Sequence, residues 1–268
     1  MSQSKKNQKL LLGILKFLLV LIFWIGVWSL LSLNINNAFL FPSPLSVIEV
    51  LRELVAKPDF WIISLTSLYR VILGVAVSLI LGILTAVLTF HSKILSALIS
   101  PLLSVVKSTP VASFIILACV WLDRSILPMF ITALIVIPIV WSNISSGLAS
   151  VDKSLKEVAK IYRFSPSKKL FRLYIPSLAP YFLAACKSSL GMAWKAAIAA
   201  EVLATPQRAI GTELYLSKTY LETPTMFAWT LVIILLSIIF EKLFVGLIEL
   251  LGNKLHLVSK GGASNVDG

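Results

Sequence analysis

The chain has 268 residues, 58% apolar and 13% charged, with a mean hydropathy of +0.93 and a formal charge of +12. Soluble domains carry about 25% charged residues, so a plain soluble globule and a disordered chain are both excluded. The basic excess fits the cytoplasmic loops of an integral membrane protein better than a nucleic-acid surface. Two remote cysteines, Cys119 and Cys186, and two isolated histidines, His91 and His256, imply neither a zinc site nor a disulfide framework.

A bilayer core of about 30 Å takes roughly 20 apolar residues per helix. Six stretches qualify: residues 10–33, 61–90, 94–122, 126–148, 176–204 and 226–251. The first follows Lys5, Lys6 and Lys9, but it exceeds the 7–15 residues of a signal h-region and lacks a small-x-small cleavage site, so it reads as an uncleaved anchor. With the N-terminus inside, thirteen Lys and Arg fall in cytoplasmic segments against five in outer loops, which predicts both termini in the cytoplasm. Residues 1–9 form the cytoplasmic N-terminus, 10–256 the transmembrane domain, and 257–268 a polar, disordered tail.

Within the second stretch, Gly74, Ser78 and Gly82 make a small-residue ridge suited to close helix packing. Lys107-Ser108-Thr109-Pro110 interrupts the third, since proline frees backbone groups that neighbours or a wet cavity must satisfy. A gate or a simple kink would both account for it. Charges inside spans cost about 2.5 kcal/mol or more and so face cavities or partners. In the fifth stretch Lys187, Gly191 and Trp194 lie on one helical face, with Lys195 beside Trp194 and Glu201 near the outer end. Lys107, Pro110, Lys187, Gly191, Trp194, Lys195 and Glu201 are therefore candidates for a translocation path; Glu201 reads equally as a structural partner.

Between the fourth and fifth stretches runs a long basic segment, residues 151–176, VDKSLKEVAKIYRFSPSKKLFRLYIP. Leu155, Val158, Ala159 and Tyr162 recur at helical steps, and Ser154 with Glu157 three residues later spells a capping box. Proline disfavours helix at the preceding residue, so the helix should end near Ser165-Pro166 and a second short helix lead into the fifth span. Such a pair suits a docking element or an amphipathic helix on anionic lipid.

This segment resembles the coupling motif of bacterial ABC importer permeases: E-A-A, three residues, G, nine residues, I, any residue, L-P. Glu157-Val158-Ala159 stand at E-A-A, Leu173 at I, and Ile175-Pro176 at L-P, with Ser165 at the break between the helices. The motif's glycine falls on Arg163, so the turn is expected to be built differently or the contact weakened, and Arg163 could add a charge contact. Phe41-Pro42-Ser43-Pro44, Ser67-Leu68-Tyr69-Arg70-Val71 followed by Gly74, Ala193-Trp194 with Ala200-Glu201, and Ile210-Gly211 resemble boxes of the nitrate/sulfonate/taurine-type branch.

The resemblance implies an all-α, polytopic membrane protein with six transmembrane helices, the type I (MetI-like) importer permease fold, in the bacterial inner membrane. It further implies a homodimer, two cytoplasmic ABC ATPase subunits docked through the coupling loop, and an extracytoplasmic binding protein that delivers a small polar solute such as a sulfonate, taurine or nitrate-like anion. ATP and Mg would be bound by the ATPase, with no cofactor, enzyme activity or nucleic-acid partner in this chain. Consistent with that, the sequence has no G-x-x-x-x-G-K-[ST] phosphate loop. A permease for a neutral ring compound is the alternative within the branch. A membrane-embedded enzyme would need polar catalytic clusters, and an ion-coupled carrier matched inverted repeats; neither is present in the sequence.

Overall fold

The structure, a computed structural model, describes residues 3–37 and 39–254. The tail expected to be disordered lies outside the described residues. All regular structure among the described residues is helical: α1 (Gln3–Ile35), α2 (Pro44–Ala56), α3 (Pro58–His91), α4 (Lys93–Ser108), α5 (Val111–Trp121), α6 (Leu127–Ser150), α7 (Lys153–Ile161), α8 (Pro166–Lys169), α9 (Ile175–Ala204), α10 (Ile210–Thr219) and α11 (Thr223–Lys254). A π-helical turn, Leu170–Tyr174, joins α8 to α9.

Among the described residues, four helical stretches are long and apolar enough to cross a bilayer: Leu18–Ile35, Pro58–His91, Leu127–Ser150 and Thr223–Ile248. The third expected span is not one straight helix. Its halves, α4 and α5, meet at a 108° bend, because Pro110 supplies no N–H and disfavours helix at Thr109. Ser108 and Thr109 turn their hydroxyls onto the carbonyl of Val105, at 3.0 and 2.8 Å, and so satisfy it at the break. The fifth expected span, α9, carries Lys187, Lys195 and Glu201 and is less apolar than the four; its 30 residues reach about 45 Å. Its closely packed face is rich in small residues, among them buried Ala193, Ala197 and Ala200, as helices shielded by protein rather than lipid permit. Four spans, the bent pair and α9 are compatible with six crossings.

The chain forms two compact units, one of residues up to Ile62 together with Glu213–Ile233, the other of Ile63–Thr212 together with residues from Ile234 onward. The smaller holds an aromatic cluster. Trp28 packs against Phe41 and Phe227, its indole N–H donating to the Pro42 carbonyl at 3.0 Å, and Phe60 stacks on Trp229 at 5.3 Å. Ser43 caps α2, accepting from the Ser46 N–H at 3.2 Å, with Pro44 at the first helical position where its missing N–H costs nothing. Two surface helices, α2 and α10, are thus added to what periodicity suggested.

In the larger unit α6 and α9 pack extensively against each other. At one end Ile115 and Ala118 of α5, Leu127 and Ile131 of α6, and Ala196, Ala200 and Ala204 of α9 form a core. The Gly74–Ser78–Gly82 ridge lies against α6: a Cβ at Gly74 would come 2.9 Å from Thr132 Cβ, and one at Gly82 2.7 Å from Val140 Cβ. Small residues at these steps let the backbones approach.

Candidate functional site

Residues 151–176 build two short helices, as the sequence suggests. The N-cap of α7 is Asp152 rather than Ser154. The Asp152 carboxylate accepts from the Ser154 N–H at 2.8 Å, displacing the expected Ser154–Glu157 capping box. An aspartate one residue before the helix satisfies a free N–H and favours the positive end of the dipole. Hydrogen bonding from Ser154, chiefly from its backbone N–H, holds the Asp152 carboxyl below the usual range.

The turn after α7 also departs from expectation. Arg163 itself adopts the left-handed conformation, φ 46°, so the turn keeps the geometry that glycine would supply. The Phe164 N–H donates to the Ala159 carbonyl at 2.9 Å and the Arg163 N–H to the Lys160 carbonyl at 3.1 Å, the paired bonds of a Schellman cap. Phe164 packs over a small core of Val151, Ala159 and Leu173, the apolar contact that accompanies such caps. Ser165 then caps α8 through the Lys168 N–H at 3.3 Å, and Pro166 opens it. The packing and these bonds hold Arg163 in a conformation costing about 1–2 kcal/mol for a residue with a Cβ. Arg163→Gly is therefore expected to raise the thermal midpoint by about 2–4 °C, roughly 1 kcal/mol for a chain of this size, read by thermal unfolding of the detergent-solubilised protein. An unchanged midpoint would show that the turn is unstrained.

Ala159 and Leu173 of the motif are buried, whereas Glu157 and Val158 are exposed, as are Ile161 at 76%, Tyr162 at 73% and Phe171 at 66%. Buried motif residues build the turn, and exposed ones leave an apolar edge rimmed by Lys153, Lys160 and Arg172. Ile175 and Pro176 begin α9, carrying the segment into the membrane without a break.

Along α9 the exposed residues Ala184, Lys187, Ser188, Met192, Lys195 and Ala199 form one stripe, with Gly191 at its centre. Both lysines lie on it. Trp194 does not: it is 1% exposed and packs on Phe240 at 6.2 Å between ring centroids. The sequence placed Trp194 on the Lys187 face because the two are only about 20° apart on a helical wheel, but α11 covers that edge. A Cβ on Gly191 would come 4.0 Å from Glu241 Oε2, so an α11 carboxylate borders the stripe. Lys107, at the end of α4, sets its ammonium 5.8 Å from the Trp141 ring, and Trp141 donates to Thr89 Oγ1 at 2.9 Å. Pro110 is the N-cap residue of α5.

Glu201 lies off the stripe, fully buried. Its carboxylate accepts from Ser67 Oγ at 2.9 Å and the Gly211 N–H at 3.1 Å, and pairs with Arg70 at 3.5 Å. Arg70 also donates to the carbonyls of Gln207, at 3.0 Å, and Arg208, at 3.3 Å, while Ser67 Oγ accepts from the Ile210 N–H at 2.9 Å. Three sequence boxes, on α3, α9 and α10, thus meet in one cluster. The individual boxes were visible, but the partners of Arg70 are main-chain carbonyls, which leave no signature in the sequence.

Residues 78–255, well over half of the chain, match the family described as binding-protein-dependent transport system inner membrane component. The chain belongs to this family. It is 24% identical over 247 residues to a protein named as an aliphatic sulfonates transport permease, SsuC, of Bacillus subtilis, covering 91% of this chain and 89% of that one. It is 29% identical over 218 residues to the bicarbonate transport system permease protein CmpB of Synechococcus elongatus, covering 75% and 76%. The nitrate import permease protein NrtB of Synechocystis shares 27% over 190 residues, covering 66% and 67%. The protein is accordingly the membrane-spanning permease of an ATP-driven importer in the inner membrane. ATP hydrolysis belongs to a separate ATPase subunit, and a solute-binding protein serves the complex.

Proposed function

We propose that two copies of this chain form the pathway for a small oxyanion, with residues 151–176 facing the cytosol and docking one ATPase subunit on each copy. The observation that carries the pathway is the exposed stripe of α9 bearing both Lys187 and Lys195. An ammonium facing hydrocarbon costs about 2.5 kcal/mol or more, so the exposed Lys195 on a membrane helix belongs against water or a second copy. Lys107 and Pro110, at the α4–α5 break, would border the same path. The names of these three relatives speak of sulfonates, bicarbonate and nitrate, all anions that fit a lysine-lined path.

On the cytoplasmic side the exposed apolar edge of Val158, Ile161, Tyr162 and Phe171, rimmed by basic residues, suits an apolar cleft with an acidic border on the ATPase. ATP and Mg would be held by that subunit. The basic bias of residues 151–176 supports an inside location for this segment and, with it, for both termini.

Lys195→Ala is the test of the path. Solute uptake into proteoliposomes containing the whole complex is expected to fall about tenfold or more, since removing one partner of a desolvated charge contact costs about 2–5 kcal/mol. The yield of assembled complex should stay as in the parent. Undiminished uptake would take Lys195, and with it the lysine stripe, out of the pathway.

A further inference from the structure

A cavity of about 560 Å³ opens between the α5–α6 turn, residues 122–125, and the segment after α9, residues 205–207, with Cys119 at its edge. Asp123, Arg124, Ser125 and Gln207 on its walls are exposed. Asp123 Oδ1 accepts from the Ser125 N–H at 2.7 Å, and this bond keeps the carboxyl below its ordinary range, so the rim carries both signs of charge.

The second wall is fastened from behind. Thr205 and Arg208 hold positive φ, 47° and 51°, which side chains with a Cβ adopt only when their surroundings enforce it. Arg70 supplies that enforcement by holding the carbonyls of Gln207 and Arg208, and buried Glu201 with Ser67 holds Arg70 and the Ile210–Gly211 backbone in place. Thr212 Oγ1 adds a bond to the Pro206 carbonyl at 2.6 Å.

Both walls continue into the two helices that carry the coupling segment. The first runs directly into α6, which ends at Ser150 beside Val151; the second is the end of α9, which begins at Ile175. These helices span about 36 and 45 Å, so the cavity and the coupling segment lie at opposite ends of one packed pair. Packed interiors transmit displacement rather than absorb it.

We propose that Arg70, held by Glu201 and Ser67, is a positioning residue for transport: it fixes the 205–208 turn as one wall of a cavity that the solute-loaded binding protein engages, and α6 and α9 carry that engagement to the coupling segment. The inference rests on the membrane orientation given above. The occupant is a protein rather than the solute alone. The buried charges near the cavity are consumed by each other and by backbone, so no desolvated group is left to select a small anion. The charges that remain, Asp123 and Arg124, are exposed rim charges of the kind that steer protein association.

Cys119 is exposed and Cys186 buried, so the native chain carries its own reporter. The experiment uses the complete complex in sealed vesicles with a membrane-impermeant maleimide. Labelling of Cys119 is expected from the extracytoplasmic side. Loaded binding protein at about ten times its Kd should slow it about tenfold by mass action, and solute alone should not. Arg70→Lys replaces a planar fork, whose two terminal nitrogens reach the Gln207 and Arg208 carbonyls and Glu201, by a single ammonium that cannot reproduce that geometry. It is expected to abolish the protection and to lower about tenfold the ratio of binding-protein-stimulated to unstimulated hydrolysis. A purely structural role would instead lower both rates and the yield of complex in parallel, leaving the ratio intact. Arg124→Glu, on the opposite exposed wall, repeats the test where folding is not at stake. Labelling only from the cytoplasmic side would overturn the orientation and the proposed function with it. Outside labelling with no protection, protection by solute alone, or an unchanged ratio in both variants would overturn the cavity's role and leave the proposed function standing.

Discussion

Glu157→Lys is expected to abolish stimulation of the ATPase while the permease still inserts and folds. Glu157 is exposed and sits on α7 among Lys153, Lys156 and Lys160. Within the free permease its carboxylate offers only helical-neighbour pairs, worth about 0.2–0.5 kcal/mol each and screened by salt, so reversal should barely change stability. In a docked interface the same carboxylate is desolvated among basic neighbours and needs a donor from the partner. Reversing its charge then loses that bond and adds repulsion, costing about 2–5 kcal/mol, or roughly 30-fold to several-thousand-fold in affinity. Co-purification of the ATPase and binding-protein-stimulated hydrolysis are the two readouts. A normal ATPase yield and normal stimulation would remove Glu157 from the interface. The Arg163→Gly variant is the companion experiment, since it changes the turn after α7 while leaving Glu157 and the apolar edge in place.

The outcome at Arg163 shows how far a sequence speaks for its backbone. A motif glycine replaced by arginine suggested a rebuilt turn, because positive φ is disfavoured for a side chain with a Cβ. Two Schellman bonds and the packing of Phe164 over Ala159 outweigh that local preference. The apolar stretches were legible because a bilayer demands length and hydrophobicity, and these are additive along the chain. The break at Pro110 was legible for a similar reason, since proline acts on its own neighbours. Its 108° angle was not, because that depends on which surfaces α4 and α5 find in α6 and α9.

Side-chain direction on α9 was legible only in part. The helical wheel put Lys187, Gly191 and Trp194 together, yet the boundary between the open stripe and the covered face runs between Lys187 and Trp194. A line drawn by the position of α11 has no local cause. α2 and α10 were missed because each is too short to register as a crossing, at 13 and 10 residues, and lies among charged residues that read as loop.

Gly211→Ala should be among the most damaging single substitutions in the chain. A Cβ there would stand 2.5 Å from Glu201 Cβ, 2.6 Å from the Val202 nitrogen and 2.8 Å from the Glu201 carbonyl carbon. Two of these are main-chain atoms of α9, so no rotamer change can make room, and either the helix or the start of α10 must move. The Gly211 N–H donates to Glu201, and the neighbouring Ile210 N–H donates to Ser67. Movement of that backbone therefore strips donors from a fully buried carboxylate. Overpacking costs about 1–3 kcal/mol, and a buried polar group left unmatched adds about 1–3 kcal/mol, more where it is charged. The expected sum, about 2–6 kcal/mol, exceeds the other stability effect considered, that of Arg163→Gly, and should appear as a fall of at least about 4 °C in the thermal midpoint, with loss of assembled complex from the membrane. Gly74→Ala is the control, because its nearest neighbour at 2.9 Å is the Thr132 side chain. Its penalty should be the smaller, since the contacts are longer, with the main-chain Met129 Cα at 3.3 Å, and no buried carboxylate depends on that backbone. Equal thermal midpoints for parent and Gly211→Ala would mean that the contact between α9 and the start of α10 is not the rigid one described.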